Sequence, residues 1–427
     1  METSNMTSEH IKKNLDISTA LVLSGGGARG AYEAGVIKYI LDALPETNQI
    51  KPFFNIFSGT SIGALNSCFL ASFADQPALS AKGLIDYWHS ITIDKIIHFK
   101  YKELFSLFNI IVGRPTHHDL LHMLKRPKNS PHPPIGGIFN STPLFNEMHK
   151  AISWERIQEC FSNNSLKGIS LCATEVCTGN SVIFFQNNTE KKDILGKNYS
   201  KEAKYVKINL KHAMASSAIP MIFPAVQING TCYTDGSLRQ NTPVYPALRL
   251  GANKMLVISL SQDPEIEFCI ARRGCRKNPN PGMLFLLGKI LNVLITDALD
   301  DELKRIELFN NIIKSGEKIY GDEFLDNINQ ATRAHRHADY RVIETYLIRP
   351  SQNLHQIAVD SLREAPEELN FPGLPGKLLK KLFQSNLFID SELLSFLMFT
   401  PTYINKLIAL GYKDASNHEK GLVQFFS

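Results

Sequence analysis

Two short stretches decide the fold. They are Gly25-Gly26-Gly27-Ala28-Arg29-Gly30, entered from Ala20-Leu21-Val22-Leu23, and Gly59-Thr60-Ser61-Ile62-Gly63, entered from Phe53-Phe54-Asn55-Ile56-Phe57. Each reads as a strand, a tight glycine turn and then a helix. Such units bring backbone N–H groups, and in the second case a hydroxyl, to one edge of a sheet. Ser61 stands in a Gly-x-Ser-x-Gly pattern, where Gly59 and Gly63 permit a sharp turn and let a substrate approach the Oγ closely. The compact apolar run from Ile62 to Leu70 suits a buried helix behind that turn. Ser61 is therefore the candidate nucleophile, and the loop over residues 25–30 is the candidate source of oxyanion donors.

The first loop also supports a rival reading. Gly25, Gly27 and Gly30 fit the G-x-G-x-x-G of dinucleotide sites, which in addition want an acidic residue about 20 positions on, at the end of a second strand. Glu46 has the spacing but lies in the turn-like Leu44-Pro45-Glu46-Thr47-Asn48, and the next strand begins only near Phe53. A nucleotide would lack its ribose contact there. An oxyanion needs only N–H groups at a helix N-terminus.

A base is offered by Asp235 in Tyr233-Thr234-Asp235-Gly236-Ser237. It follows a hairpin predicted from Val226 to Tyr233 with Asn229-Gly230 at its turn, so a strand end presents it. Taken in order, Gly-Gly-Gly-Ala-Arg-Gly, Gly-Thr-Ser-Ile-Gly, Ala215-Ser216-Ser217-Ala218-Ile219-Pro220 and Asp235-Gly236 resemble the patatin-like phospholipases, across about Ala20 to Leu260. The resemblance implies a three-layer α/β fold with a central, mostly parallel sheet. It also implies a Ser–Asp dyad without histidine, Ser61 as nucleophile and Asp235 as base. Gly25, Gly26, Gly27, Ala28, Arg29 and Gly30 would form the oxyanion hole, and Gly236 the acid turn. Substrates would be phospholipids or other lipid esters, cleaved by a phospholipase A or lysophospholipase type of reaction, with no cofactor and no metal. One departure is Ser237, where the family usually has glycine or alanine.

Aspartate is a weak base, with a reference pKa of about 3.9, so apolar surroundings must raise it for general-base work. A histidine triad is the alternative, and only His335, His337, His355 and His418 follow Asp235. A nucleotide-binding protein and a catalytically silent scaffold are the two readings outside ester hydrolysis.

Composition narrows the rest. With 44% hydrophobic and 20% charged residues, the chain of 427 residues is that of an ordinary folded protein, long enough for a large α/β domain and a second region. Forty-six basic against 41 acidic residues leave +5, too small an excess to argue for nucleic acid but compatible with peripheral contact at anionic lipid surfaces. The cysteines at 68, 160, 172, 177, 232, 269 and 275 lack zinc spacing and read as free thiols. Met1 to Asp16 has no apolar h-region. The longest apolar run, Met283 to Ile295, is interrupted by Lys289 and Asn292 and is too short to span a bilayer. A cytoplasmic or peripheral membrane protein is expected, with secretion by a route that needs no signal left open.

The domain plan has a flexible N-terminus over residues 1–17, a catalytic domain over 18–262 and a mainly helical region over 263–427. That last region resembles the C-terminal extension of bacterial patatin-like proteins. A helix is predicted from Arg29 to Leu44, ended by Pro45, with Gly35 packing on the sheet. Residues 75–150 read as a lid or acyl-groove insertion, with Leu107 and Phe108 among its apolar residues. His117, His118 and His122 lie there without the glutamate of H-E-x-x-H, and so read as surface or packing histidines. Strands are predicted at Leu166 to Thr174, Ser181 to Gln186, Met255 to Leu260 and Arg341 to Ile348, and helices at Lys211 to Ile219, Met283 to Ile313 and Leu393 to Ile408. Lys377, Lys380 and Lys381 beside Leu379, Leu382 and Phe383 make a short basic amphipathic piece.

Overall fold

The computed structural model describes residues 17–96, 137, 139–189, 192, 201–266, 286, 288–289, 292–293, 299–336, 339–371, 373–389 and 391–427. Among these residues the frame is one mixed, mostly parallel sheet of nine strands: β1 (Thr19–Leu23), β2 (Ile56–Thr60), β3 (Gly168–Glu175), β4 (Ser181–Asn187), β5 (Lys201–Tyr205), β6 (Val226–Ile228), β7 (Thr231–Asp235), β8 (Lys254–Ile258) and β9 (Glu344–Ile348). The order is β5-β4-β3-β2-β1-β8-β9, with β6 and β7 as a hairpin on the end of β3. Strands β9, β8, β1, β2 and β3 run parallel, whereas β4 and β7 run antiparallel to β3.

The apolar runs Ala20–Leu23 of β1 and Met255–Ile258 of β8 follow from burial on both faces. Leu21 and Leu23 of β1 enter one core, while Ala20 and Val22 enter the other with Val244, Ala247, Leu299 and Ile306. Helices on both faces complete three layers. On the first face lie α1 (Ala31–Lys38), α2 (Ile62–Ala71), α3 (Pro77–Ser90), α4 (Thr142–Ala151), α5 (Trp154–Ser162) and α6 (Leu210–Ser216). On the other lie α7 (Val244–Arg249) and the N-terminal half of α8 (Leu299–Tyr320). The chain continues through α9 (Phe324–Arg336), α10 (Leu354–Glu364), α11 (Gly373–Phe383), α12 (Leu393–Leu397), α13 (Pro401–Asn417) and α14 (Glu419–Phe426). Among the described residues no helix is long and apolar enough to cross a membrane.

Several local expectations need correction. Pro45 does not end the first helix: after α1 the chain makes a π turn over Tyr39–Ala43 and stays helical to Asn48, stopping at the left-handed Gln49 (φ 55). A proline lacks an N–H and crowds the carbonyl four residues back, and a widened turn just before it relieves both demands. The predicted helix from Leu393 to Ile408 is two helices, because Thr400 precedes Pro401 and is held extended at φ −112, ψ 145. The helix predicted to reach Ile219 stops at Ser216, and its start is fixed by a capping box in which the Asn209 side chain accepts from Lys211 and His212. The later predicted strand joins the same sheet, since β9 pairs parallel with β8 from Lys254↔Glu344 to Ile258↔Ile348. The sheet thus runs across residue 262. His117, His118, His122, Leu107, Phe108, Cys269 and Cys275 lie outside the described residues, as does most of 283–298. Cys68, Cys160, Cys172, Cys177 and Cys232 are free thiols.

Gly35 packs on a helix, not on the sheet. A Cβ there would lie 2.1 Å from the Ile408 carbonyl oxygen of α13, and one on Gly411 would lie 2.1 Å from that of Tyr32 in α1. The two helices touch backbone to backbone at this pair of glycines. The crossing is tied by Asp414, which accepts from the Tyr32 hydroxyl (3.1 Å) and from the Ser351 amide (2.9 Å) and hydroxyl (2.6 Å). Gly35→Ala is expected to lower unfolding stability by about 1–3 kcal/mol, because overpacking against backbone outweighs the ~1 kcal/mol gained in helix propensity. Urea unfolding measures this, and a variant more stable than wild type would contradict it.

Candidate active site

The parallel strands β1 and β2 end side by side, Leu23 opposite Gly59, so the two glycine turns that follow them meet. After β2 the chain reverses at Ser61, which holds φ 55 and ψ −123 before α2 begins. That is a strained backbone for a non-glycine residue, of the order of 1–3 kcal/mol. It persists because its surroundings fix it. A Cβ on Gly59 would meet the Gly63 carbonyl at 2.2 Å, and one on Gly63 would meet the Leu23 carbonyl at 2.5 Å. The Ser61 amide donates to Ser216 Oγ (3.0 Å), Ser216 Oγ donates to the Cys172 carbonyl (2.5 Å), and Ser217 Oγ donates to the Ser61 carbonyl (2.9 Å). The C-terminal end of α6 therefore clamps both backbone groups of Ser61. Consecutive serines in a run of alanines were visible in the sequence, but their targets were not.

Ser61 Oγ donates to Asp235 Oδ2 at 2.6 Å, and both residues are buried. Asp235 closes β7, whose register against β3 sets it opposite Ala173. Its other oxygen accepts from the Ser237 amide at 2.8 Å, and Gly236 fits there because a Cβ would lie 2.2 Å from the Cys172 carbonyl. Thr174 Oγ1 donates to the Asp235 carbonyl (2.9 Å) and the Asp235 amide donates to Ala218 (2.9 Å), leaving the carboxylate little freedom. Burial pushes its pKa up to about 6, against the pull of hydrogen bonds from Ser61 and Ser237.

The first glycine turn faces this pair. Gly27–Gly30 is one turn of 3-10 helix that passes directly into α1, so its leading N–H groups have no partner within the helix. Gly25 donates to the Asn241 carbonyl (3.2 Å), and the space where its Cβ would stand is taken by Ser237 Oγ, Asn241 Oδ1 and Ser61 Cβ. Gly27 needs its freedom twice over: φ is +58, and a Cβ would lie 2.3 Å from the Phe396 carbonyl. A Cβ on Gly30 would strike Ile62 and Trp88. Ala28 is fully buried. The chain itself fills the space beside these glycines.

Behind the turn lies a network that the sequence did not reveal. Glu33 is fully buried and accepts from the Ser24 amide (2.9 Å) and from Asn66 Nδ2 (2.8 Å), while Trp88 Nε1 donates to Asn66 Oδ1 (3.1 Å). Burial drives the Glu33 carboxyl well above the carboxylate range. The network ties the start of the glycine loop to α2 and α3.

The Arg29 guanidinium is spent on Glu392 and Ser395 and lies over the Phe396 ring. Of the candidate histidines, His418 sits against the Tyr346 hydroxyl (3.0 Å), and burial lowers the pKa of His355. His337 and the His335 side chain lie outside the described residues.

An apolar cleft opens from Ser61 and Gly27. Its walls are almost wholly apolar. Ile62, Leu65, Ile91, Ile96, Leu144 and Met148 come from the first region of the chain, and Phe396, Leu397 and Phe399 come from the C-terminal region. The contribution of those last three had no signal in the sequence, since more than 330 residues separate them from Ser61.

A sheet of this order with a serine elbow beside a glycine turn is the architecture of a patatin fold. Residues 21–248, more than half of the chain, match the family model for patatin-like phospholipase, and the chain belongs to that family. Among solved structures, VipD from Legionella pneumophila is similar at 12% identity and a TM-score of 0.32, with 95% of this chain and 67% of that one covered. No curated protein matches the chain. Family membership places it among lipid acyl hydrolases.

Proposed function

We propose that the protein is a serine lipid acyl hydrolase of phospholipase A or lysophospholipase type, working through Ser61 and Asp235. The observation that carries this reading is the 2.6 Å hydrogen bond from Ser61 Oγ to Asp235 Oδ2 at the mouth of an apolar cleft. Asp235 takes the Ser61 proton as Oγ attacks the ester carbonyl, and the oxyanion settles on N–H groups of the 25–30 turn. The leaving alcohol departs with the proton. Asp235 then activates water, which hydrolyses the acyl-enzyme. Gly26, Gly27 and Ala28 supply the donors, and each donor contributes about 2.7–4 kcal/mol in the transition state. Gly25, Arg29 and Gly30 shape the loop, Gly59 and Gly63 the elbow, and Gly236 the turn that aims the acid. The substrate is a lipid ester met at a membrane surface. Neither a cofactor nor nucleic acid has a part in the reaction.

The cleft gives the acyl chain its place. Burial of apolar surface contributes about 25 cal/mol per Å², so walls of this kind favour long chains over short ones. Leu144→Trp, which fills the cleft, is expected to lower kcat/KM about tenfold for a long-chain p-nitrophenyl ester and by no more than about twofold for the acetate. Equal losses on both substrates would argue against the cleft as acyl site. Against the nucleotide reading stands the crowding beside Gly25 and Gly27, where side chains and a carbonyl of the protein already lie.

A catalytic unit over 18–262 bears the dyad, Ile91, Ile96, Leu144 and Met148 line the acyl groove from the first region, and Phe396, Leu397 and Phe399 line it from the region 263–427. Calorimetry with NAD and with ATP, run beside ester hydrolysis, separates this reading from a nucleotide-binding one. Hydrolysis without nucleotide binding supports the proposal; tight nucleotide binding without hydrolysis ends it.

A further inference from the structure

The segment from Glu392 to Phe399 is far from the family's motifs in the chain, yet it meets the oxyanion turn at four points. Arg29, inside that turn, donates from Nη2 to Glu392 Oε2 at 2.6 Å. It also donates from Nε and Nη2 to Ser395 Oγ, at 2.9 and 2.6 Å. Its guanidinium stands 4.1 Å from the centre of the Phe396 ring. The Phe396 carbonyl in turn occupies the place a Gly27 Cβ would need, 2.3 Å away. The same segment then lines the cleft with Phe396, Leu397 and Phe399.

We infer that Glu392 is a positioning residue for ester cleavage: held against Arg29, it fixes the turn whose N–H groups receive the oxyanion. The inference rests on the reading of Ser61 as nucleophile. The physical argument is one of tolerance. Oxyanion donors act only if they already point at the place where charge will develop, and a displacement of about 1 Å can cost roughly 10²-fold in rate. Glycines at 25, 26 and 27 give the turn the freedom it needs to form, but that same freedom leaves it soft. A buried arginine with a planar, two-sided set of partners is the stiff element that such a turn requires. The pair is ionised: burial pushes the Glu392 carboxyl up, but Arg29, His355 and Lys289 outweigh it and hold it below the usual value. Lys289 Nζ approaches the second Glu392 oxygen at 3.7 Å. Ser395 is locked in turn, its hydroxyl donating to the Glu392 carbonyl at 2.8 Å. Glu392 touches no substrate and acts through Arg29.

The experiment is steady-state hydrolysis of one p-nitrophenyl ester by the full chain, together with the rate at which a fluorophosphonate modifies it. Glu392→Gln keeps the shape and removes the charge. Its kcat is expected to fall about 10–100-fold with KM within about twofold, and modification should slow in parallel, because both reactions use the oxyanion turn. Arg29→Gln with Glu392→Gln should lose little more than either alone. The comparator is Asp300→Asn, which breaks the Arg349–Asp300 pair (2.7 Å) elsewhere in the C-terminal region. It is expected to change thermal stability while leaving kcat unchanged. If Glu392→Gln does not fold, Ser395→Ala removes a single hydroxyl and should still lower kcat about threefold or more. A folded Glu392→Gln with wild-type kcat overturns the inference, as does an equal loss in Asp300→Asn or an unchanged Ser395→Ala. If Ser61→Ala silences the protein while Glu392→Gln keeps wild-type kcat, the positioning role falls and the nucleophile reading stands. A wild type without Ser61-dependent turnover removes both.

Discussion

Ser61→Ala is expected to lower kcat for a lipid ester by at least ~10⁴-fold, with KM changed little. Removing a nucleophile that works as a unit with its base costs about as much as removing both, and what survives comes from the oxyanion donors and binding alone. The fold should persist, because Ser61 is held by its backbone: Ser216 binds its amide and Ser217 its carbonyl, whichever side chain it carries. Losing the hydroxyl does leave Asp235 Oδ2 without its 2.6 Å donor. A stability loss of about 1–3 kcal/mol is therefore expected where the carboxylate is charged. Kinetics on the purified variant, with circular dichroism as the folding control, measures both. Turnover within about tenfold of wild type would place the nucleophile elsewhere.

The second large effect belongs to Asp235. Asp235→Asn should reduce kcat by about 10³-fold or more at neutral pH, since the amide cannot take the serine proton. In the wild type the carboxylate must be ionised to act, and burial sets its pKa at about 6. Log kcat/KM should thus climb with unit slope below about pH 6 and level off above it. Stability runs the opposite way. The folded state holds the Asp235 proton more tightly than the unfolded chain, whose value is 3.8, so stability declines as pH rises from 3.8 to about 6 and the full cost is present above that. At about 1.36 kcal/mol per unit, the cost is ~3 kcal/mol. Asp235→Asn removes the charge, keeps an acceptor for the Ser237 amide and leaves an N–H facing Ser61. It is expected to be more stable than wild type at about pH 8 and to lose that advantage near pH 4. Melting temperatures across pH test this, and a variant less stable than wild type at alkaline pH would contradict it.

Where sequence and structure agree, the reason is local. A strand, a glycine turn and a helix are fixed by neighbours in the chain, so the elbow at Ser61, the turn over 25–30 and the hairpin before Asp235 were legible. The 2.6 Å approach of Ser61 to Asp235, across 174 positions, was expected only through the family resemblance that the ordered motifs carry. What escaped was long-range. Gly35 reads as a helix residue that wants to pack closely, but nothing near it says that α13 is the partner. The sequence leaves the partners of Arg29 open, and only the fold reveals Glu392 and Ser395 beside it. Pro45 breaks helices in general; the π turn before it is a local exception that no pattern announced. The domain plan read from the sequence parts the chain at residue 262, yet β9 returns to the sheet and Phe396 to the cleft. Composition records solvent and turns, not which strand edge a later segment will fill.

The central claim is that Ser61 attacks an acyl carbon with Asp235 as its base. Its most direct test is to treat the folded protein with a fluorophosphonate and locate the adduct by peptide mass spectrometry. A single adduct on Ser61, lost in Ser61→Ala and formed far more slowly in Asp235→Asn, is the result expected. An adduct on another residue, or one that persists undiminished in Ser61→Ala, would contradict it.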